Sequence, residues 1–200
     1  MSRITLGEFK KAVRDPSLRR GQGGAPTIPT PFPVAESAVR RFHANGATSA
    51  QAYLNATFDR SDYWGAGGHG AGWADAIREC FDNYVEMASP DQRPRVDIRI
   101  SEDAVLGVNT VGVHLDVVLL DDRGYVGRFL LWDVPELNAE TAQALAAPIT
   151  VALGMAFGAS RVVEVEFWHL RTATAVVVPA NEALGAIDEA STTVARYLSE

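Results

Sequence analysis

Lysine is almost missing from this chain: Lys10 and Lys11 are its only two, and every other cation among the 18 basic residues is arginine. Cysteine occurs once, at Cys80, which excludes an intramolecular disulfide and a zinc site built on cysteines. No apolar run approaches the roughly 20 residues that span a bilayer. The opening Met1-Ser2-Arg3-Ile4 lacks the apolar stretch of a secretory signal. These absences lead to the expectation of a cytoplasmic protein without a membrane segment. Positive charge is also in deficit, with a net charge of −7. Affinity for nucleic acid comes largely from Lys and Arg neutralising phosphates, so the charge disfavours such a partner, although a local basic patch is compatible with it.

What is present reads as one globular domain of 200 residues. Thr5 is a capping residue for a short helix over 5–15, with Phe9 and Val13 one turn apart. A Pro/Gly-rich stretch over 16–33 follows, ending in PTIPTPFP, and proline at that density excludes a regular helix. Residues 1–34 are therefore expected to hold the short N-terminal helix and a Pro/Gly-rich arm, and 35–200 a single α/β domain.

Helices are expected over 35–45, 49–58 and 73–88, the last placing Ile77, Cys80, Phe81 and Tyr84 on one face. The hydrophobic period then drops to two. Val96, Ile98 and Ile100 alternate as in a half-buried strand. Residues 110–120 read as a more central strand, and Asp121-Asp-Arg-Gly124 as a hairpin turn into a third over 125–132. Asn138 caps a helix that ends at Gly158 and carries Pro148 inside it. Strands over 162–169 and 174–178 and a closing helix over 182–198 complete the order β-β-β-α-β-β-α. That order predicts an α/β (α+β) fold with a central mixed five-stranded sheet flanked by helices.

The order, together with His114-Leu-Asp116-Val-Val-Leu-Leu and the passage from Ala139 through Val163-Glu-Val-Glu-Phe-Trp-His-Leu-Arg171-Thr172, resembles the PD-(D/E)XK nuclease superfamily. Within it the likeness is to the restriction-endonuclease-like and RecB-like folds, over roughly residues 73–178. The resemblance implies an acid on strand two and an acid-x-lysine triplet on strand three. These hold Mg or Mn, while the lysine assists the attacking water. Asp116 matches the strand-two acid. Phe129-Leu-Leu-Trp-Asp133-Val supplies no such triplet, and no lysine follows Lys11. Arginine does not serve where a neutral, proton-accepting form is needed. The Gln-x-x-x-Tyr pattern of the next helix is also broken: Gln143 is present, but Ala147 and Pro148 follow where the tyrosine belongs. The resemblance thus implies a pseudo-nuclease.

Asp116, His114 and Asp133 form the candidate oxygen/nitrogen metal site, with Asp116 and Asp133 the catalytic pair if the chain cleaves. The bland reading of Asp116 is a remnant hydrogen-bonded to a turn or helix end. Glu79 and Glu86 read as a solvated helix face, and Glu164 and Glu166 as the wet face of a strand. Tyr63, Trp64 and Trp73 flank the loop around His69 and are candidate partner anchors, with core packing as the alternative. GAGGHGAG lacks the flanking strand and Gly-Lys-Ser/Thr of a phosphate loop. Arg128 and Arg171 are candidate phosphate contacts. Cys80 is expected buried and inert. The expected function is non-catalytic protein binding, as an adaptor or assembly component, with a protein partner or a second copy. The alternatives are a metal-dependent nuclease with an atypical site and a non-cleaving nucleic-acid binder.

Overall fold

The computed structural model describes residues 2–21, 32–60, 70–97, 100–132 and 136–199. Strand β1 (Arg3–Thr5) leads into α1 (Leu6–Arg14), and α2 (Phe32–Asn45), α3 (Ala47–Phe58) and α4 (Gly70–Ala88) follow. Strands β2 (Arg95–Asp97), β3 (Ile100–Leu106), β4 (Asn109–Leu115), β5 (Val117–Asp121) and β6 (Gly124–Leu131) come next. Helix α5 (Ala139–Phe157) crosses to β7 (Val162–His169) and β8 (Thr174–Pro179), and α6 (Ala180–Gly185) and α7 (Ile187–Leu198) close the chain.

The predicted mixed five-stranded sheet is present in the order β2-β5-β6-β7-β8, with β6 and β7 parallel and the other pairs antiparallel. Beside it lies a three-stranded sheet, β1-β4-β3, which sequence reading did not separate. The sequence assigns no element to residues 101–106. They form an antiparallel strand in which Ile100, Ala104 and Leu106 are buried while Ser101, Asp103 and Val105 are exposed, and the half-buried Glu102 interrupts the apolar series on the inner face. The long second strand also divides: residues through Leu115 pair with β1 and β3, residues from Val117 pair with β2 and β6, and Asp116 stands at the break.

Two apolar cores flank the five-stranded sheet. Helix α5 packs on one face, joined by α1, α6, α7 and the smaller sheet around Phe9, Leu115, Leu145, Ile149 and Phe167. Helices α2, α3 and α4 cover the other face around Val39, Leu54, Phe81, Tyr84 and Trp168. Coverage on both sides explains why the sheet carries almost continuous apolar runs instead of a clean alternation.

The short helix expected over 5–15 is present as α1. Thr5 and Glu8 form a reciprocal capping box at the start of α1. Ile4, Leu6, Phe9 and Ala12 belong to the core, and Arg196 of α7 donates to the Ala12 carbonyl. The proline-dense stretch 22–31 lies outside the described residues. Helix α5 runs through Pro148. The closing helix divides after Gly185, with Ala186 capping both pieces.

Candidate functional site

A cavity of about 500 Å³ opens where the two sheets part. Its walls come from α1 (Lys10, Lys11), α2 (Glu36, Val39, Arg40), the β4–β5 break (His114, Asp116) and β6 (Phe129, Leu130). Each position has a local cause. The capping box fixes the start of α1, so Lys10 and Lys11 leave the helix near its end, away from buried Phe9. On α2, Val34, Ala38 and Val39 are buried, which leaves Glu36 and Arg40 half-buried, one turn apart, at the cavity. Arg40 donates to the Ser37 hydroxyl at 2.7 Å.

Asp116 is the acid at the centre of the break. Its carboxylate accepts a hydrogen bond from the Leu130 backbone N–H at 3.0 Å. Burial pushes its pKa up to about 7, against the opposing hydrogen bond from Leu130. Glu36 raises it further, while Arg40 and Lys10 lower it. An acid about half protonated near neutrality binds a divalent cation only by giving up that proton, because the cation needs the carboxylate. Among the described residues no three His, Cys, Asp or Glu side chains are grouped to hold a metal ion. His114 shares the cavity and is exposed; Asp133 lies outside the described residues.

Sequence reading discounted lysine because none lies beyond Lys11. The fold brings both lysines from α1 to the cavity that Asp116 lines. No local pattern announces this, because it depends on β1 pairing in parallel with β4 and carrying α1 to the sheet junction.

Arg128 is not placed as a phosphate contact must be. It is 1% exposed, so it is not open to phosphate. It donates to Glu166 through Nε at 2.9 Å and pairs with Asp91 through its guanidinium. Its guanidinium carbon sits 3.5 Å from the centroid of the Trp168 ring. Glu166, expected on a wet face, is buried and receives Trp168 Nε1 at 3.0 Å as well. Arg93 completes the cluster, bonding Asp91 at 2.8 Å and Glu166 at 2.7 Å. Burial favours protonated Asp91, but the hydrogen bonds from Arg93 and Arg128 outweigh it and hold the carboxyl well below its usual range. The expectation failed because a charged alternation on β6 and β7 reads as solvent-facing, whereas α2–α4 cover that face. Arg171 is exposed, as a phosphate contact requires.

The remaining candidates are dispersed. Trp73 is 48% exposed on α4, while Tyr63, Trp64 and His69 lie outside the described residues. Glu79 and Glu86 are exposed on α4, as read. Cys80 is buried, with its thiol toward the Trp132 carbonyl. His43, for which sequence reading found no partner, shares a 2.5 Å hydrogen bond with the buried Tyr84 hydroxyl. Burial brings the His43 pKa down to about 4, helped by Arg95 and Arg128. His169 is buried too, accepting from the Leu137 N–H at 3.3 Å.

Comparison with protein-family models and with curated proteins finds no match to this chain.

Proposed function

We propose that this chain is a degenerate relative of the PD-(D/E)XK nucleases that acts by binding, as an adaptor or assembly component, and does not cleave. One observation carries the reading: the Asp116 carboxylate, the acid that the resemblance assigns to metal, is engaged by the Leu130 N–H. The strand-three positions beside it are Phe129, Leu130 and Leu131, which offer a metal nothing. The resemblance itself draws support from the antiparallel β5–β6 pair followed by α5 and the parallel β7. Partner binding draws support from exposed apolar side chains such as Trp73, Val105, Val108 and Val177.

A metal-dependent nuclease built on Asp116 and Asp133 is the second reading. It is favoured by the presence of Lys10 and Lys11 at the cavity that Asp116 lines. The two separate in a cleavage assay on single- and double-stranded DNA and RNA with Mn²⁺ or Mg²⁺. The binding reading predicts intact substrates. Cleavage that disappears in Asp116→Ala would establish the nuclease.

A further inference from the structure

We infer that the cavity between α1, α2 and the β4–β5 break is a binding site for a small amphipathic anion, with an apolar body and a single carboxylate or phosphate head. The proposal rests on reading this cavity as a binding site and not as a metal centre.

The size fits first. Sites for small organic ligands occupy roughly 300–1,000 Å³, and this cavity holds about 500 Å³. Its walls are largely apolar, with Leu6, Val39, Leu115, Phe129, Leu130 and Trp132 contributed by both cores. Such a lining solvates an aliphatic or aromatic body and gives bare inorganic ions little to hold.

The charge pattern then selects the head. Lys10, Lys11 and Arg40 bring three positive charges to the cavity, against the two acids Glu36 and Asp116. One of those acids already has a donor in the Leu130 N–H. The local balance is therefore positive in a chain whose net charge is −7. Both lysines of the chain sit here. The cations project from two different helices, so a head group placed between them meets charge from two directions. A cationic amphiphile would find the same apolar walls and the wrong field.

The test uses the full chain and fluorescence of 8-anilinonaphthalene-1-sulfonate, an aromatic body with one anionic head. Saturable enhancement is expected, with near-UV circular dichroism unchanged. Dodecanoate and dodecyl phosphate should displace the dye, and their relative potency tells which head is preferred. Dodecyltrimethylammonium and inorganic phosphate should not displace it. Lys10→Glu combined with Arg40→Glu should weaken dodecanoate binding at least tenfold. The milder Lys10→Met should weaken it several-fold with near-UV circular dichroism unchanged, and Arg123→Glu, on the turn between β5 and β6 and not lining the cavity, should change nothing. Absence of saturable binding, displacement by the cationic amphiphile as effective as by dodecanoate, or full affinity in both cavity variants would overturn the proposal. Mn²⁺-dependent cleavage of DNA or RNA that is lost in Asp116→Ala would instead overturn the non-cleaving reading, so the two failures are distinct.

Discussion

The Asp116 carboxylate receives the Leu130 backbone N–H at 3.0 Å, tying the point where the chain passes from one sheet to the other to the strand beside it. The bond satisfies a ladder donor of β6 that faces a residue outside the regular pairing. The same carboxyl is held in a site where its charge is costly.

This cost fixes a pH dependence. The folded-state pKa of Asp116 is raised to about 7 from 3.8. Between those values the folded chain keeps a proton that the unfolded chain has released, so its contribution to stability falls as pH rises through that window. Asp116→Asn keeps an acceptor for Leu130 and cannot ionise. It should match wild type in unfolding free energy at pH 4 and exceed it at pH 8, by about 2 kcal/mol after discounting for residual solvent contact. His43 acts in the opposite sense. Its folded-state pKa is depressed to about 4 from 6.5, so its contribution is complete above pH 6.5 and is lost as pH falls toward 4. His43→Gln should flatten that acid limb in a series of thermal melts.

Arg128 tests the buried cluster. Removing it in Arg128→Met takes one of three donors from Glu166 and leaves Asp91 to Arg93 alone. A loss of about 3–5 kcal/mol in denaturant unfolding is expected, the range for breaking a buried pair on one side. Arg128→Lys keeps the charge but not the planar fork or the stack on Trp168, and should recover only part of that loss. A neutral outcome for both would show that the cluster is solvated.

Gly124 tests the hairpin. It sits at φ +147° after the Asp121-Asp122-Arg123 turn, and a Cβ there would collide with the Arg161 carbonyl oxygen. Gly124→Ala should cost at least about 1–3 kcal/mol from backbone strain alone, read as a lowered denaturation midpoint at unchanged slope.

The sheet was readable because period-two runs over 110–120, 125–132 and 162–169 are long and apolar, and Asn138, Gly158 and Pro148 bracket or mark the crossing helix without ambiguity. The division at Asp116 was not readable, since nothing local distinguishes a bend from a continuous strand. The third strand of the second sheet is the three-residue Arg3–Thr5, which gains meaning only through its pairing with Thr110–Gly112. The same limit hid the candidate site. Lys10 and Asp116 are over a hundred residues apart, and only the parallel β1–β4 contact brings their elements to one cavity. The fate of Arg128 and Glu166 turned on whether a second helical layer covers their face.

The most direct test of the central claim is a calorimetric titration of metal-stripped protein with Mn²⁺, wild type beside Asp116→Ala. A binding protein that has given up the metal chemistry predicts no saturable heat in either protein over the millimolar range. Saturable binding to wild type that vanishes in Asp116→Ala would contradict the account and restore the nuclease reading.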